Sequence, residues 1–217
     1  MTLDLRPAGT SAVLASFDSL AEVVAFRDGL RGATVPGVTE VVSGARTLLV
    51  RFDRTRTDAG RLRAELSAVA PVTVGPGGTP DTTLAGATTP VVVPVVYDGA
   101  DLDTVAEMTG RTRAELVAWH TGQTWTSAFC GFAPGFSYLT GTAAPLDLPR
   151  RDTSRTAVPS GAVALAGEFS AVYPRTSPGG WQLIGRTDVP VWSLDRTPPA
   201  LAPAGTRVRF VDAEAPT

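Results

Sequence analysis

The chain has 217 residues, 43% hydrophobic and 18% charged, with a formal net charge of −2. That length suits one large or two small domains, and the near-neutral balance without a basic run argues against an electrostatic nucleic-acid binder. All 19 basic residues are arginine, which excludes a Walker-A lysine, a Schiff-base lysine and a biotinylation site, while a single His and a single Cys exclude a usual Cys/His zinc centre and an intrachain disulfide.

In chain order, Leu3–Leu5 and Ala12–Phe17 read as short strands around a Pro7–Gly9 turn. Asp18 or Ser19 caps a helix in which Leu20, Val23, Val24, Phe26 and Leu30 form the apolar stripe and which Gly32 ends. Val38–Val42 and Thr47–Phe52 are β-rich runs joined by a hairpin at 43–46. Thr57 or Asp58 opens a second helix with Leu62, Leu66 and Val69 on one side, and Val72–Val74 is a candidate last strand. The order β-α-β-β-α-β is that of a ferredoxin-like domain, expected over 1–76. A Gly-, Pro- and Thr-rich linker covers 77–90.

The second domain is expected over 91–217. It opens on the strand Val91–Tyr97, whose central Pro94 implies an edge or a bulge. A short helix over Asp101–Thr109 closes at Gly110, and Thr112 with Glu115 forms a capping box that opens another helix, ended by Gly122. From 126 onward no period of 3.6 persists. Short β runs at 162–165, 171–173, 182–185, 189–193 and 207–211 are separated by turn residues, the pattern of a sandwich or closed barrel. The fold class is therefore α+β, the second domain a β-barrel with a small helical insert. No apolar run approaches the ~20 residues that span a bilayer, and no basic-then-apolar leader opens the chain, so no membrane contact and a cytoplasmic location are expected.

The strongest local signals are two aromatic-flanked Pro-Gly turns. The first, FCGFAPGFSYLTG, places Phe132, Pro134, Gly135, Phe136 and Tyr138 together, and the second places Gly179, Gly180 and Trp181 after Pro178. Proline sets φ at the first corner of such a turn and glycine supplies a positive φ at the next. Rings around a turn suit a loop packed over a cleft or a partner, and equally a hairpin turn with an apolar anchor. His120, near a helix C-terminus where the dipole favours the imidazolium, is the candidate general acid/base, or else a cap for the last carbonyls. Arg150, Arg151 and Arg155 cluster, and arginine's planar fork suits carboxylate or phosphate; the alternative is a solvated loop or pairing with Asp147 and Asp152. Gln182 offers an amide, and Ser160 a hydroxyl on a turn, to a polar ligand. Cys130 reads as packing. No residue set suggests a metal.

At this point the chain resembles the family of the 5-oxoprolinase B-type component (PxpB), which also holds the sporulation-kinase inhibitor KipI and allophanate hydrolase subunit 1. The resemblance rests on PVVYDGADL, the helix ending at His120-Thr121, Gly131-Phe132-x-Pro134-Gly135-Phe136-x-Tyr138-Leu139, Pro149-Arg150, Arg155, Val158-Pro159-x-Gly161, Val172-Tyr173-Pro174 and SPGGWQLIGRT. It implies an N-terminal ferredoxin-like domain and a C-terminal cyclophilin-like β-barrel. It further implies one component of a hetero-oligomer, in which a cyclophilin-like C-type partner and an A-type partner join it to convert 5-oxo-L-proline to L-glutamate with ATP hydrolysis. ATP with Mg would then serve the complex, no cofactor being evident on this chain, and the chain alone would be inactive. Arg150 and Arg155 would suit ATP or the substrate carboxylate, and His120, Gln182 and the Pro-Gly loops would line the cleft. The alternatives within the resemblance are a KipI-like inhibitor of a histidine kinase and a component of an allophanate or urea-pathway amidohydrolase. Four places depart from the family pattern: Trp125, Ser137, Ser154 and the run Glu168-Phe169-Ser170-Ala171, where Gln-Thr-Gly is usual before Val-Tyr-Pro.

Overall fold

The computed structural model describes residues 3–72 and 89–215. It divides the chain into two compact units, residues 1–86 and 87–217. The linker expected over 77–90 lies almost wholly outside the described residues.

In the first unit, β1 (Asp4–Pro7) and β2 (Ala12–Ser16) form a hairpin whose turn holds Gly9 at φ +68°. Helix α1 (Leu20–Gly32) follows, and the Ser19 side chain caps it by accepting the Glu22 N–H. Strands β3 (Val38–Ser43) and β4 (Thr47–Phe52) form a second hairpin, and α2 (Ala59–Ser67) begins where the Asp58 carboxylate accepts the N–H groups of Gly60 and Arg61. The sheet is antiparallel with order β1-β2-β4-β3. Alternation along β2 and β4 turns Val13, Ala15, Leu48, Val50 and Phe52 inward, where Phe26, Leu30, Leu62 and Leu66 meet them. The place beside β2 that a final strand was expected to fill is taken by β1. Val72 donates its N–H to Ala25 O instead of extending the sheet, and 73 and 74 lie outside the described residues.

The second unit is built on a seven-stranded sheet. Its strands are β5 (Val91–Val95), β6 (Trp125–Cys130), β7 (Ser137–Gly141), β9 (Ala162–Ala166), β10 (Phe169–Val172), β12 (Gln182–Arg186) and β13 (Arg207–Asp212), in the order β12-β9-β10-β7-β6-β13-β5. The two ends nearly close on each other. Val96 and Arg186 exchange both backbone hydrogen bonds at 2.9 Å, then Gly99 N–H reaches Ile184 O and Asp101 N–H reaches Leu183 O. Pro94 is tolerated because β5 ends the ordered sheet and pairs only with β13, in parallel. A separate ribbon pairs β8 (Arg155–Val158) with β11 (Ser177–Gly179).

Helices α3 (Leu102–Met108) and α4 (Arg113–Thr121) connect β5 to β6. The capping box at Thr112 and Glu115 forms as expected. Leu102, Val105 and Leu116 enter the barrel interior with Trp125, Val163, Leu165, Ile184 and Phe210. On β9 the alternate residues Ala162, Ala164 and Ala166 face the other way, into a second apolar cluster with Ala171, Tyr173, Trp181, Leu183 and Phe136. All five residues of β9 are therefore buried, so the sheet is covered on both faces here.

One expected strand is absent. Residues 189–193 carry only an isolated bridge between Trp192 and Ala200, because Pro190 lacks an N–H and the segment bonds back to the proline-rich stretch through Ser193 N–H to Pro199 O and Leu201 N–H to Val191 O.

Candidate functional site

The small alanine side chains of β9 and β10 leave room for rings on the outer face of the barrel, and both Pro-Gly segments supply them. The first segment is the loop of the β6–β7 hairpin, so it is a hairpin turn and a packed loop at once. Gly135 sits at φ +84°, and a Cβ there would come within 2.7 Å of Trp192 Cβ, so only glycine fits. Phe136 is buried and meets Tyr138, Tyr173 and Trp181 edge-on at 5.0, 5.3 and 5.4 Å between ring centres. Phe129 stacks on Tyr138 at 4.3 Å, and Phe169 meets both edge-on. Such contacts between rings add about 0.5–1.5 kcal/mol each beyond area burial.

Phe132 stands apart from the others. It is 60% exposed and is held at φ +64°, a conformation that costs a non-glycine residue about 1–2 kcal/mol. Its ring leans edge-on against Phe136 and Tyr173. Pro134 is exposed at the same turn. An exposed aromatic in a strained conformation above a bed of buried rings marks this loop as the candidate site.

The second segment is not the turn expected: Pro178 and Gly179 lie in β11, paired with β8, and from there it closes the bed from the other side. A Cβ on Gly179 would collide with the Tyr173 hydroxyl, and one on Gly180 would lie 2.8 Å from Ser154 Oγ. The Tyr173 ring thus favours glycine at 179, whereas at 180 the Ser154 hydroxyl could turn aside; Trp181 beside them is buried. Burial pushes the Tyr138 and Tyr173 phenols up, and the positive charge of Arg150 partly offsets the rise at each. Exposed Arg150 therefore lies within electrostatic reach of both tyrosines.

The other arginines do not pair with Asp147 or Asp152. They converge on Asp101, 50 and 54 residues upstream. Asp101 is 2% exposed, and its Oδ1 accepts from Arg151 Nη1 at 2.6 Å and from Arg155 Nη2 at 2.8 Å, while Oδ2 accepts the Leu183 N–H at 2.7 Å. Burial alone would raise this carboxyl; the Arg155 and Leu183 hydrogen bonds and the two guanidinium charges outweigh it and hold Asp101 below its ordinary value. Gln182 is buried, with Nε2 donating to Pro149 O at 3.1 Å, which ties β12 to the segment that carries Arg150. Ser160 lies outside this group: it is exposed, and its hydroxyl donates to Pro174 O, 14 residues along the chain and just past β10.

His120 has no open side. It is fully buried, its Nδ1 lies 2.7 Å from the Tyr97 hydroxyl and its Nε2 lies 2.9 Å from Ser170 Oγ. The ring stacks on Phe210 at 4.4 Å. Burial lowers its pKa to about 3, so the imidazolium expected from the helix dipole is overridden by desolvation and the ring is neutral. It does not line the aromatic bed. Strand alternation separates the departing run 168–171 in the same way: Phe169 joins the outer rings, whereas the Ser170 hydroxyl turns inward to His120.

Asp101, Tyr173 and Phe169 belong to the site, but from sequence none had a stated role: Tyr173 stood only among the residues that carry the resemblance and Phe169 only in the run that departs from it. Asp101 reads as an ordinary helix start, and its arginine partners lie half a hundred residues away. Tyr173 and Phe169 signal only a strand until β10 is set beside β7.

Residues 3–202 match the family described as the carboxyltransferase domain, subdomain C and D. Among curated proteins, the B-type component of 5-oxoprolinase from Escherichia coli O157:H7 is 41% identical over 124 residues, covering 56% of this chain and 57% of that one. The urea amidolyase of Saccharomyces cerevisiae is 32% identical over 99 residues, covering 42% of this chain and 5% of that one. The solved structure of TTHA0988 superposes with a TM-score of 0.73 at 32% identity, covering 95% of this chain and 40% of that one. The aligned part spans little more than half the length of the 5-oxoprolinase relatives. Among the described residues no helix is long and apolar enough to cross a membrane. With the match extending through both units, the chain belongs to the carboxyltransferase subdomain C and D family, in which its relatives include the B-type component of 5-oxoprolinase.

Proposed function

We propose that this chain is the B-type component of an ATP-dependent 5-oxoprolinase, acting with A-type and C-type partners to open the lactam of 5-oxo-L-proline to L-glutamate. The observation that carries the reading is the 41% identity to a protein named as that component of 5-oxoprolinase. A lactam carbonyl is a poor electrophile, and ATP would supply a phosphoryl group that turns its oxygen into a leaving group before water attacks. On this chain, Arg150 and the aromatic bed would bind and orient an anionic ligand, with Phe132 as an exposed cover.

Among the described residues no group of three or more His, Cys, Asp or Glu could hold a metal ion. In this reading Mg²⁺ therefore rests on the ATP phosphates and on donors beyond those residues. Neutral, enclosed His120 supports the sheet beneath the site instead of exchanging protons with substrate. A chain that supplies binding groups without a full catalytic set is inactive alone, and the outer-face rings suit a site completed by the C-type partner. We read the two units as a ferredoxin-like domain, its fourth strand replaced by β1, and a cyclophilin-like barrel in a cytoplasmic protein.

A KipI-like inhibitor of a histidine kinase is the second reading, favoured by the exposed Phe132 ring. The likeness to urea amidolyase favours an allophanate or urea-pathway role within the amide-hydrolysing class. The test is ATP-dependent glutamate release from 5-oxoproline by the three cognate components, with and without this chain. Release that requires this chain, and falls at least about tenfold with Arg150→Ala, supports the proposal. Release unaffected by leaving the chain out overturns it.

A further inference from the structure

Among the described residues of the second unit, Ser127 Oγ on β6 is buried without a hydrogen-bond partner, and so are three atoms around Asp101: Arg151 Nε, Arg155 Nη1 and Gln182 Oε1. These last three belong to one knot of chain. Asp101 binds both arginines and Leu183, Arg151 N–H donates to Gly180 O, and Gln182, next to Leu183, donates to Pro149 O. Asp101 does not serve the orphans: its Oδ1 takes Arg151 Nη1 and Arg155 Nη2 and its Oδ2 the Leu183 N–H. The knot thus holds two guanidinium groups against one carboxylate, with two cationic N–H donors and one amide oxygen unused. Buried groups of this kind are ordinarily satisfied, and each one that is not calls for a partner. Water would satisfy a donor or an acceptor but would not balance the charge.

We infer that this knot is a subsite for a small carboxylate whose α-carbon carries an amide N–H. The carboxylate oxygens accept from Arg151 and Arg155, and the N–H donates to Gln182 Oε1. The site is built, since Gln182 is 4% exposed and pinned through its other amide atom; the three unpaired atoms are enclosed, and the way to them lies between the arginine side chains, which are 36% and 23% exposed. Asp101 is the positioning residue that holds both forks in place. The inference rests on the 5-oxoprolinase reading for its probe, because 5-oxo-L-proline presents these two groups on neighbouring atoms.

The test titrates the full chain with 5-oxo-L-proline, with cyclopentanecarboxylate (the anion without the N–H) and with 2-pyrrolidinone (the lactam without the anion), following binding by calorimetry or ligand NMR. The expected result is affinity for 5-oxoproline at least about tenfold above either analogue, since each analogue leaves part of the knot unpaired. Gln182→Met should erase the preference over cyclopentanecarboxylate and keep the preference over 2-pyrrolidinone. Equal affinity for 5-oxoproline and cyclopentanecarboxylate on the unaltered chain, or no binding of any of the three, overturns the subsite, and this holds even if the Gln182 variant fails to fold. A chain that binds none of the probes yet is required for glutamate release loses the subsite and keeps the function. Selective binding without release in the assembled enzyme does the opposite.

Discussion

Asp101 and Arg155 are 54 residues apart and meet at 2.8 Å, with the Asp101 side chain 3% exposed. This pair, joined by Arg151, fixes the segment 149–155 against the barrel edge and so sets where Arg150 stands. Replacing Asp101 by Asn leaves two guanidiniums facing a neutral group. Breaking a buried pair costs about 3–5 kcal/mol, and the partial exposure of both arginines reduces this to roughly 2 kcal/mol. The Asp101 carboxyl is held below its ordinary value, so its contribution is complete above the unfolded pKa of about 3.9 and is lost as pH falls through the lower folded value. Urea unfolding of wild type and Asp101→Asn at pH 7 should differ by that amount, and the gap should narrow only below about pH 4.

His120 gives a different pH window. Its folded pKa is lowered to about 3 by burial, against an unfolded value of 6.5. The unfolded chain therefore takes up the proton first. The stabilisation is complete above the unfolded pKa and is lost as pH falls from there toward 3, by up to about 5 kcal/mol over the whole range. No carboxylate bonds the ring to offset this, since its nitrogens face the hydroxyls of Tyr97 and Ser170. The measurement is the urea midpoint against pH for wild type and His120→Gln. A slope between pH 6 and 4 that is the same in both chains would count against the buried neutral ring.

Gly135→Ala should be costly on two counts. The φ of +84° is unfavourable for alanine, and the new Cβ would come 2.7 Å from Trp192 Cβ. The expected loss is about 2–4 kcal/mol, from roughly 1 for the backbone and 1–3 for overpacking. Thermal unfolding checks it, with Trp192 fluorescence as a local readout.

Phe132→Gly should go the other way. Glycine relieves the positive φ, and little burial is lost from a ring that is 60% exposed. Stability is expected to hold or rise by up to about 1 kcal/mol, while under the proposed 5-oxoprolinase function glutamate release by the assembled components falls several-fold. Unchanged release would remove Phe132 from the working site.

Much of the fold was legible in the sequence because it rests on local chemistry. Ser19, Asp58 and the Thr112–Glu115 box announce helix starts, since a short polar side chain satisfies free N–H groups wherever it stands. The Pro134-Gly135 segment announces a tight turn and alternation announces strands, whereas Pro178-Gly179 misleads, because it runs extended in β11 with neither Gly179 nor Gly180 at positive φ. Residues 189–193 mislead because a β-branched, aromatic run looks like a strand until its prolines leave it without a ladder to join.

What the sequence alone determined is therefore the set of parts: two units, a barrel, arginine as the sole cation, and aromatic turns that carry the resemblance to a family. Tertiary structure alone decided which parts meet. The sign of the His120 charge followed from burial and not from its helix terminus, because desolvation outweighs a dipole of a fraction of a charge. The arginine cluster found its carboxylate in Asp101 instead of the nearer Asp147 or Asp152, because closing the sheet brings residues 98–101 onto β12 and makes a contact that no local spacing encodes.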